Sequence, residues 1–246
     1  MPSHTKIDWT EISWNPTTGC RKVSEGCAHC YAERFALRLQ RMGMQKYRNG
    51  FELTIHPEMV DVPLKWKKPS LIFVNSMSDL FCEDIPFSFI EQVFNTMNRA
   101  SHHIFQVLTK RSQRLAELAP KLRWTSNIWM GVTVELSEYY GRIDDLITVP
   151  AEVRFISLEP MLGPMPNLPL EYIDWVIVGG ESGPKARKME KEWVYDVFAQ
   201  CREAKVPFFF KQWGGKGPKK GGKELDGKIY HEYPPQINRL RQPNLI

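Results

Sequence analysis

The stretch IFQVLTKRSQRLAELAPKLRWTSNIWMGV, residues 104–132, decides the fold. Residues 104–108 and 128–132 are short, continuous apolar runs rich in β-branched and aromatic side chains, which is typical of strands buried on both faces. Residues 112–118 between them have the spacing of an amphipathic helix. A strand, a helix and a second strand in this order predict a parallel βαβ unit.

The same alternation continues on both sides of this unit. Further strands are predicted at residues 11–14, 71–75, 153–157, 175–178 and 208–210. Further helices are predicted at residues 31–42, 88–99, 137–146 and 191–204. These elements predict an α/β fold, a partial (β/α) TIM-like barrel of about six to seven parallel strands.

The predicted barrel occupies the chain as a single domain, residues 1–246, because no linker or internal repeat divides it. We expect residues 214–246 to form a C-terminal tail or a lid over the site, and residues 225–235 within them contain too much Gly and Pro for a helix. The chain is 42% hydrophobic and 25% charged, which is ordinary globular usage. No apolar run approaches the roughly 18 to 20 residues of a membrane span, and no signal peptide is evident. We therefore expect a cytoplasmic protein with no membrane partner.

Three cysteines, Cys20, Cys27 and Cys30, lie close together in residues 19–30, which we call the three-cysteine loop. Clustered thiols in a cytoplasmic chain ligate metal more often than they form disulfides. Three thiol ligands leave one coordination position open, as a reactive site requires. The loop follows the first predicted strand and precedes the first predicted helix. This position favours a 4Fe-4S cluster.

Two other interpretations of the loop stay open. A structural zinc site could use His29 or His4 as its fourth ligand, although no second CxxC pair is present. A redox-active CxxC pair would leave Cys20 without a role. Cys82 and Cys201 stand apart in the sequence, and we interpret both as small buried hydrophobic residues.

Polar and glycine residues gather where the predicted strands end. Because the carboxyl ends of parallel strands form the ligand-binding edge of α/β folds, these residues are candidates for one common site. They are Ser76, Ser78, Asp79, Lys110, Arg111, Glu135, Glu159, Gly179, Gly180, Glu181 and Lys211.

The cysteine loop after the first strand of a partial barrel resembles the radical S-adenosylmethionine (radical SAM) superfamily. The chain as a whole is similar to an uncharacterised three-cysteine-motif family of phages and bacteria. The stretches that carry this similarity are WNP (14–16), GCAHCYA (26–32), LTKR (108–111), GVTVE (131–135), SLEP (157–160), GGESG (179–183) and FKQWG (210–214). The loop departs from the superfamily pattern, because six residues separate Cys20 from Cys27 and His29 takes the place of an aromatic residue. Tyr31 is the candidate to replace that aromatic contact.

The resemblance implies a 4Fe-4S cluster held by Cys20, Cys27 and Cys30, with S-adenosylmethionine as the second cofactor. Within this interpretation, side chains that suit an ammonium group or ribose hydroxyls, and glycines that allow close backbone approach, are the cofactor-binding candidates. They are Tyr31, Ser76, Ser78, Asp79, Glu135, Gly179 and Gly180.

The catalytic candidates are Lys110, Glu159, Glu181 and Lys211. The cations among them suit a nucleotide, a nucleic acid or another anionic substrate, and a partner protein could supply specificity. A different interpretation is that Lys110, Arg111 and Lys211 pair with Glu159 and Glu181 in a buried charge network.

The net charge of +5 tolerates a nucleic-acid partner. The lysines of residues 216–223 are candidates for phosphate contacts, together with Lys110 and Arg111. The alternative function is a zinc-stabilised or non-catalytic nucleic-acid-binding barrel.

Overall fold

The computed structural model describes residues 5–217 and 221–241. Seven strands form one sheet in which every neighbouring pair is parallel and the spatial order follows the sequence. The strands are β1 (Ile12–Trp14), β2 (Leu71–Val74), β3 (Ile104–Thr109), β4 (Ile128–Thr133), β5 (Val153–Leu158), β6 (Trp175–Gly179) and β7 (Phe208–Gln212). The sheet curls into a half-barrel with β1 and β7 at its edges, which confirms the predicted partial barrel.

Five α-helices are described. They are α1 (Tyr31–Arg41), α2 (Phe87–Arg99), α3 (Ser112–Leu118), α4 (Gly141–Ile147) and α5 (Lys191–Ala204). The predicted helix at 137–146 is wrong in one respect, because a 3-10 turn, Ser137–Tyr139, precedes α4. None of the described helices has the length and apolar content needed to cross a membrane.

Short elements fill the connections. Two two-stranded antiparallel pairs are formed by Thr17–Thr18 with Thr54–Ile55 and by Glu224–Leu225 with Lys228–Ile229. The remaining 3-10 helices are Glu25–Cys27, Gln45–Tyr47, Pro57–Met59, Val62–Lys65, Ala119–Lys121 and Pro235–Arg241.

The concave side of the half-barrel is filled by large aromatic side chains. Trp9 packs on Phe73 with ring centroids 4.6 Å apart, and Trp175 packs edge-on against Trp9 and Trp129. All four are buried, with Phe155 and Phe209 in the same cluster. The interior is therefore a packed core that excludes water, and any site must lie at an end of the strands.

The C-terminal segment runs beside β7. Phe210 N donates to the Tyr230 carbonyl at 2.8 Å and Glu232 N to the Phe208 carbonyl at 3.2 Å, so the segment is antiparallel to β7. Arg239 then pairs with Glu152, which precedes β5, at 2.6 Å. Residues 230–241 thus lead to the amino ends of the strands, away from the carboxyl ends, and the expectation of a lid does not describe them.

Candidate active site

The three-cysteine loop crosses the edge of the sheet where the strands end, which we call the carboxyl face. Gly19 N donates to the Met77 carbonyl at 3.0 Å, next to the end of β2. Gly19 has φ +81°, and a Cβ there would lie 2.2 Å from the Glu52 carbonyl oxygen. Only glycine can make this turn without moving the backbone. The local sequence therefore directs the loop over the candidate site.

Four contacts fasten the loop to the carboxyl face. Ser24 Oγ donates to Glu135 Oε1 at 2.6 Å, and His29 Nδ1 lies 3.0 Å from Glu181 Oε2. Arg187 Nη2 donates to the Glu25 carbonyl at 3.0 Å, and Arg111 Nη2 donates to the Arg21 carbonyl at 3.1 Å. Side chains from several strand ends thus hold the loop in place.

The three thiols of the loop do not converge. Cys27 Sγ lies 3.7 Å from Ser24 Oγ, whereas Cys20 Sγ lies 3.5 Å from Arg111 Nη1. Burial raises the pKa of the Cys30 thiol, and the nearby Cys27 raises it further. Among residues 5–217 and 221–241, no three His, Cys, Asp or Glu side chains are arranged to hold a metal ion.

The donor set nevertheless fits an iron–sulfur cluster in number and chemistry. Cys20, Cys27 and Cys30 are free and half-buried, and residues 21–23 between the first two are exposed. Cys20 must turn away from Arg111 to join the other two. For the zinc alternative, His29 binds Glu181 through Nδ1, which leaves its Nε2 free to act as a fourth ligand, and His4 lies outside the described residues.

Cys82 does not stand alone as the sequence suggested. It is buried, as expected, but it lies near Cys20. The interaction with the Cys20 thiol, together with the charge of Arg111, lowers the pKa of Cys82 to about 6. The segment between β2 and α2 therefore brings a fourth thiol to the loop. Cys201 is buried in α5, as predicted.

Glu135 is the most enclosed carboxylate of the site, with no exposed surface. Its oxygens accept from Lys110 Nζ at 2.8 Å and from Arg142 Nη1 at 2.7 Å. Burial opposes its ionisation, but the two cations outweigh this effect, and the pKa of Glu135 lies below its ordinary value. Glu135 thus joins β4, α4 and the loop.

Asp79 is held in a similar way at the end of β2. It accepts from Thr109 Oγ1 at 2.7 Å, from Lys110 N at 3.1 Å and from Arg111 Nη1 at 3.0 Å. Because these donors already surround it, Asp79 positions the start of α3. The predicted contact of Asp79 with the ammonium group of a cofactor would have to replace one of these hydrogen bonds or be added to them.

The other cofactor candidates of this region lie nearby. Ser76 Oγ donates to Asn15 Oδ1 at 3.3 Å, and Ser78 shares a short hydrogen bond with Thr17. The Tyr31 hydroxyl donates to the Ser76 carbonyl at 2.5 Å, and the Tyr31 side chain is half exposed. Tyr31 is thus placed at the boundary between the loop and solvent.

Lys211 and Glu159 form an ion pair at the ends of β7 and β5. Lys211 Nζ lies 2.7 Å from Glu159 Oε1, and Glu159 also accepts from Ser157 Oγ at 3.1 Å. The Trp9 indole donates to Glu159 at 3.3 Å, which connects this pair to the aromatic core. The buried-network interpretation correctly paired Lys211 with Glu159. It was wrong for the other two cations, because Lys110 pairs with Glu135 and Arg111 pairs with Asp79 and Glu83.

Glu181 is paired with a residue that the sequence did not single out. Arg187 Nη2 lies 2.6 Å from Glu181 Oε1, and His29 contacts the other oxygen. Burial favours the neutral acid, but hydrogen bonds from Arg187 and His29 outweigh it and lower the pKa of Glu181 to about 2. Arg187 lies in an irregular segment before α5, so no periodic pattern marked it.

Gly179 and Gly180 serve packing within the chain. A Cβ on Gly179 would lie 2.6 Å from Glu159 Oε1, and one on Gly180 would lie 2.0 Å from the Trp213 carbonyl oxygen. The space beside each glycine, which was predicted to admit a cofactor, is therefore occupied by protein atoms.

Two clefts differ in their relation to this site. One of about 220 Å³ lies between the loop, the start of α1 and residues 184–185, and Cys30, His29 and Arg34 line it. A larger one of about 540 Å³ lies near Tyr172 and Pro207, at the amino ends of β6 and β7. No predicted site residue lines the larger cleft, so the chemistry-bearing residues favour the smaller one.

The chain is thus an α/β half-barrel protein whose predicted site residues meet at the carboxyl face. It belongs to the family described as "Protein of unknown function (DUF5131)", whose profile matches residues 4–234. No curated protein and no solved structure matches the chain. The match confirms membership in an uncharacterised family, as the overall similarity predicted.

Proposed function

We propose that this protein is a radical SAM-like iron–sulfur enzyme that acts on a nucleotide, a nucleic acid or another anionic substrate. One observation carries the proposal. A loop with three free thiols lies over the carboxyl face and is held there by Glu135, Glu181, Arg111 and Arg187. A loop that only connected β1 to α1 would need neither three thiols nor a set of buried ionic contacts.

In this proposal Cys20, Cys27 and Cys30 hold the 4Fe-4S cluster. Together with S-adenosylmethionine the cluster supplies one-electron chemistry that starts a radical reaction on the substrate. The protein has to position both cofactors and exclude water. The packed Trp9 and Trp175 beneath the carboxyl face exclude water from the side of the core.

The charged residues of the carboxyl face act first as positioning residues in this proposal. Lys110 and Glu135 fix the middle of the loop, and Glu181 fixes its end through His29. Tyr31 is the most accessible of the cofactor candidates. Lys211, which is partly exposed beside Glu159, is the candidate to meet an anionic substrate.

Metal content tests the proposal. Full-length protein is purified and reconstituted without oxygen, and iron, zinc and absorbance near ~400 nm are measured. We expect a brown protein with iron and acid-labile sulfide, and loss of both in Cys20→Ala, Cys27→Ala and Cys30→Ala. Cys201→Ala is the matched control, since it removes a buried thiol in α5. Cys82→Ala should also retain the cluster.

The same preparation tests for the reaction. With dithionite and S-adenosylmethionine we expect release of 5'-deoxyadenosine from the wild type and none from Cys27→Ala. A colourless protein that carries stoichiometric zinc would overturn the proposal in favour of a zinc-stabilised barrel. Full iron in Cys20→Ala together with loss of iron in Cys82→Ala would assign the third thiolate to Cys82 instead of Cys20.

A further inference from the structure

One segment of the chain carries an unbalanced positive charge. Residues 34–51 contain five basic residues and no Asp or Glu, while the whole chain has a net charge of +5. The segment comprises most of α1 and the turns that follow it. A large part of the surface charge of the protein is therefore concentrated beside one helix.

The arginines of α1 face solvent. Arg34, Arg38 and Arg41 recur at helical spacing on the side opposite Ala32 and Ala36, which are buried. Among the described residues no carboxylate forms an ion pair with Arg38 or Arg41.

Arg48 lies beside them, because Gln40 Nε2 donates to its carbonyl at 2.9 Å. We call Arg34, Arg38, Arg41 and Arg48 the basic face of α1. In the described part of the chain Arg48, like Arg38 and Arg41, has no carboxylate partner, so three guanidinium groups are available to a ligand.

Large apolar side chains are exposed next to these arginines. Phe35 is 46% exposed and Met42 is 64% exposed, and both lie on the flank of Arg38. An exposed phenylalanine among unpaired arginines is unusual for a surface that meets only water. Arginines that neutralise phosphates beside an aromatic ring that stacks on bases are the combination found in single-strand binding surfaces.

The basic face of α1 adjoins the candidate active site. α1 begins at the residue after Cys30, and Lys22 in the loop pairs with Glu33 at 3.0 Å. Arg34 Nη2 donates to the Ser182 carbonyl at 2.7 Å, across the smaller cleft. A chain bound along α1 would thus reach the three-cysteine loop.

Three of the cations first expected to contact phosphates, Lys110, Arg111 and Lys223, are engaged elsewhere. Lys110 is held by Glu135 and Arg111 by Asp79. Lys223 pairs with Asp8 at 2.8 Å, while Lys219 and Lys220 lie outside the described residues. The unpaired arginines of α1 are therefore better placed to neutralise a polyanion.

We propose that the basic face of α1 binds the phosphate backbone of a single-stranded nucleic acid and that Phe35 stacks on one of its bases. A single strand fits better than a duplex because its bases are open to stacking. The inference deepens the proposed function by naming the substrate class. It rests on that function only for the statement that the strand is the substrate, since binding needs no cluster.

Binding is measured by fluorescence anisotropy with full-length protein and a labelled single-stranded oligonucleotide of mixed sequence, as RNA and as DNA. Each neutralised phosphate contributes about 0.7 to the log–log salt slope for a single strand. We expect the Arg38→Gln, Arg41→Gln, Arg48→Gln triple variant to reduce the slope by about 2 and to weaken binding at least tenfold. The matched control removes three exposed cations before β2 and β4, as Lys67→Gln, Lys121→Gln, Arg123→Gln, and should leave both unchanged.

Phe35→Ala tests the assignment to a nucleic acid. Loss of one stacked base should weaken oligonucleotide binding roughly fivefold or more, while binding of inorganic polyphosphate, which has no bases, stays the same. Equal affinities for the two triple variants would overturn the proposal. So would a Phe35→Ala protein that binds the oligonucleotide like the wild type, because binding would then rest on phosphate contacts without base stacking. A protein that takes up no iron on reconstitution but still binds the oligonucleotide through α1 would refute the proposed enzyme and support the binding surface.

Discussion

The Ser24 hydroxyl donates a 2.6 Å hydrogen bond to Glu135 Oε1, and through it the three-cysteine loop is joined to the end of β4. The same carboxylate holds Lys110 and Arg142. Glu135 therefore links the order of the loop to the stability of the sheet. A carboxylate with this many charged donors is costly to remove, because its partners remain buried.

Glu135→Gln should destabilise the protein by about 3 kcal/mol, since two largely buried cations lose their counter-charge. Urea unfolding at neutral pH measures the change. Glu138→Gln removes an exposed carboxylate three residues away and should stay within about 0.5 kcal/mol of the wild type. Equal stability of the two variants would contradict the role given to Glu135.

Gly26→Ala should loosen the loop, because the new Cβ would lie 2.3 Å from Glu135 Oε1. Glu135 cannot move away without breaking its contacts with Lys110 and Arg142, so we expect a cost of about 1 to 3 kcal/mol. Faster tryptic cleavage after Arg21 or Lys22 should accompany it. Gly141→Ala in α4 meets no atom within 4 Å and should be neutral or slightly stabilising.

Stability should fall in acid partly through Glu181. Its folded-state pKa of about 2 lies below the ordinary 4.5, so its contribution is complete above about pH 4.5 and is lost as the pH falls toward 2. The stability difference between the wild type and Glu181→Gln should therefore be constant from pH 7 to about 5 and shrink below that range. Urea unfolding curves at each pH measure this stability difference. A difference that grows as the pH falls would contradict a lowered pKa of Glu181 in the folded state.

Glu159 and Lys211 can be separated into structural and catalytic roles by a double-mutant cycle. The pair is mostly buried, so Glu159→Gln and Lys211→Met should each destabilise the protein. The double variant should lose about 1 to 3 kcal/mol less unfolding free energy than the sum of the two single losses. If Lys211 meets the substrate, Lys211→Met also raises the KM for an anionic substrate. Lys211→Arg keeps the positive charge beside Glu159 and should therefore be more stable than Lys211→Met. Strictly additive stabilities would rule out the pair.

The strands were predictable because each is a continuous apolar run, such as residues 128–132, buried on both faces of the sheet. Helix α5 was predicted with its observed bounds because its apolar spacing is regular. Residues 137–146 share one amphipathic pattern, but their backbone changes from a 3-10 turn to α-helix at Gly141. Local spacing does not distinguish these two helical forms.

The candidate site was predictable in location but not in its pairing. Strand order placed Lys110, Glu135 and Glu181 at one face, as expected for parallel strands. Which cation meets which carboxylate depends on irregular segments, and Arg187 and Cys82 both reach the site from such segments. No periodic signal marks residues in these positions.

The course of residues 230–232 along β7 has a consequence for how the chain is made. An edge strand with unpaired backbone groups is a template for aggregation, and this segment covers that edge of β7 with its own hydrogen bonds. The covering residues follow β7 in the sequence and are therefore synthesised after it. A chain that ends before Tyr230 exposes the edge of β7. Such a truncation is expected to lower the solubility of the protein while the carboxyl face stays intact.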